Sequence, residues 1–73
     1  MTKAEYKEAI ERYEYFASGY SRLSGHSIEV RNVQVRSDLV LADVILHNDE
    51  DNTHERINNC EYKRTFLNAR MGV

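Results

Sequence analysis

The chain has 73 residues, with 10 Lys plus Arg against 12 Asp plus Glu and a formal net charge of −2 at pH 7. That length holds one domain at most, because typical domains run to about 100–150 residues and two cores cannot share so little chain. The mild acidity argues against a dedicated duplex nucleic-acid binder, whose phosphate affinity requires a cationic excess, and the longest apolar run, Leu39-Val40-Leu41-Ala42, is far short of the roughly 20 residues that span a bilayer.

The first element is a helix from about Lys3 to Ala17, with room to extend to Tyr20. Thr2 followed by Glu5 reads as a capping box, in which hydroxyl and carboxylate each take an orphan backbone N–H. Tyr6, Ala9, Ile10, Tyr13, Phe16, Ala17 and Tyr20 fall within a sector of about 120° at helical spacing, which is one apolar face. Lys7, Glu8, Glu11 and Arg12 lie opposite, with Glu8 and Arg12 at the four-residue spacing that favours an ion pair. Tyr15 sits about half a turn from Tyr6 and is expected to be exposed. Gly19 or Gly25 offers a left-handed stop.

The period then changes from 3.6 to 2. Ile28, Val30, Val33 and Val35 alternate with Glu29, Gln34 and Arg36, apart from a one-residue slip at Arg31-Asn32 that suits a β-bulge. Ser37-Asp38 turns the chain into a second strand, Leu39 to His47. Val40, Ala42, Val44 and Leu46 make its charge-free face, while Leu39, Leu41, Asp43, Ile45 and His47 make the other. A strand this apolar on both sides belongs in the middle of a sheet. Residues 48–52 form a polar loop. Residues 54–67 read best as a third strand, which buries Tyr62 and Phe66 with Cys60 and recruits Ile57 through a second slip at Asn58-Asn59, with a short helical turn after Phe66. A helix capped near Thr53 is the alternative. The expected fold class is therefore α+β, a single small domain over residues 1–73. One N-terminal amphipathic helix packs on a curved three-stranded antiparallel β-meander (α-β-β-β), or on a hairpin if the C-terminal segment is helical instead (α-β-β-α).

No motif specifies a reaction. His47, Asp49, Asp51, His54 and Glu55 are the densest polar cluster, and imidazoles with carboxylates suit divalent ions. The spacing matches neither a zinc-helix motif nor a calcium loop, so His47, Asp49, Asp51 and His54 are weak metal candidates and the expectation is no cofactor. Cys60 lies on the expected core face, where free cysteine behaves as a small hydrophobe. Ser27 follows His26, but neighbours on a strand point to opposite faces. No catalytic residues are assigned and a non-enzymatic role is expected.

The remaining pattern points to binding. Leu39, Leu41 and Ile45, joined by Leu67, would form a second apolar set on the outer sheet face, and exposed patches of that kind mark partner sites. Tyr15 and the acidic residues Asp49, Glu50 and Asp51 complete the candidate partner-binding set; the acidic loop could dock on a basic surface. An outer strand could also pair edge to edge with a partner's strand. A chain this small often gains stability by association. The expectation is a protein-binding inhibitor or adaptor of phage or mobile-element character that occludes a partner protein's surface, as a monomer or a homodimer. The alternative is RNA binding through Arg31, Arg36, Arg56, Lys63 and Arg64 sharing one face. The single cysteine fits a reducing compartment, and the charged N-terminus has no apolar stretch behind it to make a signal peptide. The expected location is therefore the cytoplasm.

Overall fold

The computed structural model describes residues 1–18 and 25–71, with side chains for 1–15 and 25–70. Helix α1 (Lys3–Ser18) precedes strands β1 (His26–Val35), β2 (Leu39–Asn48) and β3 (Thr53–Lys63), and helix α2 (Arg64–Met71) closes the chain. The sheet is antiparallel with β2 in the centre. No helix among the described residues is long and apolar enough to cross a membrane.

Helix α1 begins where the capping residues place it. Thr2 Oγ1 accepts from the Glu5 N–H at 3.2 Å, and the Thr2 carbonyl accepts the first helical bond from Tyr6 N–H. Glu8 and Arg12 pair at 3.2 Å across one turn. Tyr6, Ala9 and Ile10 are fully buried against Val30, Val40, Ala42 and Val44 of the sheet, each large apolar side chain contributing about 1.5–3 kcal/mol. Tyr13 packs on the margin of this core. The expected core positions Phe16, Ala17 and Tyr20, and the Gly19 stop, lie outside the described side chains or residues.

Both expected slips are present. Asn32 and Val33 of β1 face the single residue Ala42, because Arg31 pairs with Asp43 and Gln34 with Leu41. Asn58 and Asn59 of β3 likewise face Asp43 alone, between the pairs Val44–Ile57 and Ala42–Cys60. Each bulge carries an asparagine at positive φ, Asn32 at 56° and Asn59 at 55°. Asparagine tolerates this left-handed conformation better than other residues with a Cβ.

The C-terminal segment follows the strand reading over most of its length and differs only at its end. β3 continues through Tyr62, as the strand reading required, and then gives way at Lys63 to a helix that starts earlier than the expected turn. The helical twist redistributes two side chains. Leu67, expected on the outer face, is fully buried in the inner core beside α1, while Phe66, expected to be buried with Tyr62, is 43% exposed. Phe66 instead makes an edge-to-face contact with Tyr13 at 5.2 Å. Arg64 fixes the junction: its N–H donates to the Asp38 carbonyl, its Nη1 donates to the carbonyls of Arg36 and Ser37, and its Nε donates to Tyr6 Oη. Tyr6 Oη in turn donates to Asn68 Oδ1 at 2.9 Å.

Candidate functional site

Among the described residues both helices lie on the inner face of the sheet, with α1 against β1 and α2, and α2 also touching β3. The opposite, outer face is built of five rows set by the strand register. Ser27, His47 and His54 make the first row, and Glu29, Ile45 and Arg56 the second. Arg31 and Asp43 stand opposite the β3 bulge in the third. Gln34, Leu41 and Glu61 follow, and the last row is Arg36, Leu39 and Lys63.

Asp43 is the centre of this face. It is 9% exposed and its carboxylate accepts from Asn32 Nδ2 at 2.8 Å, Arg56 Nη2 at 2.9 Å and the Asn59 N–H at 3.0 Å. Each bulge therefore sends one donor to the same side chain. The hydrogen bond from Asn32, then those from Asn59 and Arg56, hold its carboxyl down at about 2, because each favours the charged form. A charge on a central strand thus has its partners in place, as a buried charge requires.

The outer face corrects part of the expected docking set. Ile45 is only 5% exposed. Glu29 and Arg56 flank it, and Arg31, His47 and His54 complete a ring over it, leaving a shallow hollow of about 200 Å³. Long polar side chains cover apolar surface with their stems, so Ile45 is paved over rather than offered. Leu67 has left this face altogether. Leu39 and Leu41 remain half-buried and accessible. Tyr15 is exposed as expected, at 38%.

The loop cluster does not converge. His47 and His54 are register partners with rings 6.1 Å apart, and His47 Nε2 lies 3.0 Å from Glu29 Oε2. That contact, followed by the hydrogen bond from Arg31, lowers the Glu29 pKa below its ordinary value. Asp49, Glu50 and Asp51 are exposed in the turn beyond. The Asn48 side chain organises it, accepting from the N–H groups of Glu50 and Asp51 and donating to Asp51 Oδ2. Gly25, just before β1, closes it: its carbonyl accepts the Asp49 N–H at 2.6 Å, and its φ of +78° disfavours any other residue. No group of three or more His, Cys, Asp or Glu among the described residues is arranged to hold a metal ion.

On the inner face Tyr62 Oη donates to Glu14 Oε1 at 2.7 Å. Burial, with that carboxylate beside it, pushes the Tyr62 hydroxyl well above the ordinary phenol range, which makes it a packing group rather than an acid. Cys60 is half-buried beside it and its thiol contacts the Ile57 carbonyl at 3.6 Å. A hollow of about 770 Å³ forms an open groove between Glu8, Glu11, Arg12 and Tyr15 of α1 and residues 26–28 of β1. Residues 19–24, which connect its two walls, lie outside the described residues.

Sequence reasoning saw Asp43 only as the mark of an outward face and missed its role. The signal was available: Asp43 is the one charge within Leu39–Leu46, and the β3 slip falls opposite it while the β1 slip falls one residue along, opposite Ala42. Arg64 was likewise read as a surface cation, whereas it ties three elements together. No protein-family model, curated protein or solved structure matches the chain.

Proposed function

We propose that the protein is a non-enzymatic protein-binding module that docks its partner on the outer face of the sheet, opposite the two described helices, as an adaptor or an inhibitor that covers a partner's surface. One observation carries this reading: Leu39 and Leu41 stay accessible in the central strand of an open sheet face, rimmed by Gln34, Arg36, Glu61 and Lys63. An apolar centre within a polar rim is the usual anatomy of a protein interface. The polar clusters elsewhere support the non-enzymatic part, since Asp43, Arg64 and the Tyr62–Glu14 pair all hold strands and helices together.

Edge-to-edge pairing is the weaker form of this reading. β1 and β3 each carry a bulge, and bulges twist an edge away from a straight partner strand.

A photo-crosslinking side chain at position 41, compared with one at Lys7 on the exposed side of α1, tests the proposal. Capture of a discrete partner from position 41, absent from position 7 and lost on Leu39→Lys, is the expected result. Equal capture from both positions overturns the assignment of the face.

A further inference from the structure

The outer face is not uniform along its length. Arg31 and Arg56 each have a carboxylate of their own, Glu29 and Asp43. Both sit at the end of the face where Ile45 is covered. The other end, where Leu39 and Leu41 are accessible, is different. Arg36 and Lys63 flank Leu39 in the same row, one from each outer strand. Arg36 Nη2 donates to the Gln34 side chain rather than to an acid, and among the described residues no ion pair engages Lys63. Just behind them Arg64 satisfies its guanidinium with two carbonyls and the Tyr6 hydroxyl. Three cations therefore stand at this end without a bound carboxylate. Asp38 in the turn and Glu61 beside Leu41 are the nearby acids. The surplus is one positive charge on a chain whose net charge is −2.

Unneutralised positive charge and accessible apolar surface thus coincide at one end of β2, while the acidic turn of Asp49, Glu50 and Asp51 stands at the other. We infer that the occupant of this face is an acidic, amphipathic protein segment, its apolar side chains on Leu39 and Leu41 and its carboxylates on Arg36 and Lys63. This rests on the docking reading above and adds the chemistry of the partner. Complementary charge of this kind sets the register and the partner choice more than the raw affinity. Arginine offers a fork that matches a carboxylate and lysine a mobile point charge.

The probe is a short labelled peptide alternating leucine and glutamate, compared with leucine–serine and leucine–lysine versions and with an oligouridylate of matched charge. Binding is read by anisotropy and mapped by amide chemical shifts. The leucine–glutamate peptide is expected to bind best, to shift the amides of Leu39, Leu41 and Lys63, and to weaken as salt rises. Arg36→Glu with Lys63→Glu should weaken it by about tenfold or more and leave the leucine–serine peptide unchanged. The milder Arg36→Gln with Lys63→Gln, read by the same titration, covers any misfolding of the reversed pair. Leu41→Ser should weaken both peptides. Equal binding of the glutamate and serine peptides, untouched by the charge variants but lost in Leu41→Ser, would overturn the acidic occupant and keep the docking face. Absence of any shift on the outer face overturns both. Tighter, more salt-sensitive binding of the oligouridylate makes the occupant nucleic acid instead.

Discussion

The two faces of β2 are covered by different physics. Its inner face, Val40, Ala42, Val44 and Leu46, is closed by apolar side chains that arrive from α1 and α2, including Tyr6 and Ile10 at one end of the chain and Leu67 at the other. The covered part of its outer face, Asp43 and Ile45, is closed by neighbours in the sheet itself, through Glu29, Arg31 and Arg56 around Ile45 and through three hydrogen bonds converging on Asp43. The inner solution is non-directional and scales with area; the outer one depends on geometry. Burial alone therefore does not distinguish a core residue from a paved one, as Ile45 demonstrates.

Truncating the inner face should have the largest effect. Ile10→Ala removes a fully buried side chain, and such deletions cost about 2–5 kcal/mol, a large part of what a domain this small has to lose. A urea titration followed by circular dichroism should show the midpoint falling steeply or the fold lost. A midpoint unchanged from the parent would contradict the packing described for α1.

Breaking the outer face at its centre comes next. Asp43→Ala leaves donors from both bulges and Arg56 without their acceptor, and the melting temperature should fall by about 10 °C. The acid limb follows from the same geometry. With the folded carboxyl at about 2, below its ordinary value of 3.8, the stabilisation is fully present above the ordinary value and is lost as pH falls through the interval towards 2. Stability measured from pH 5 down to 2 should drop in the parent and drop less in Asp43→Asn. Parallel acid profiles would remove Asp43 as the cause.

A single hydroxyl gives a smaller effect. Tyr6→Phe keeps the buried ring and deletes the bonds to Asn68 and Arg64, for a loss of about 0.5–1.5 kcal/mol. Amide exchange should rise in α2 more than in the sheet. The smallest change is expected at Asn52, the third asparagine at positive φ (53°). Asn52→Gly should be neutral to within about 0.5 kcal/mol, whereas Asn52→Val should destabilise by about 1–3 kcal/mol through backbone strain.

The contrast between the faces also explains how much could be read in advance. Periodicity located α1, the inward face of β2 and both slips, because each leaves a repeating or interrupted apolar pattern. It did not show where β3 ends. Tyr62, Phe66 and Leu67 are all apolar, and the step from strand to helix between Lys63 and Arg64 decides which of them is buried. That step depends on Arg64 reaching residues 36–38 and Tyr6, contacts that are long-range in the chain. The candidate site was legible to the same degree. Leu39 and Leu41 were visible as a second apolar set, but the covering of Ile45 depends on side chains from two other strands, and alternation along one strand carries no record of them.

Asp43 has one more consequence. β1 and β3 form no ladder with each other, yet each hangs one of its irregular turns on this shared acceptor. The two margins of the sheet thereby share one anchor on the strand between them, and loss of that single carboxylate should loosen both borders at once.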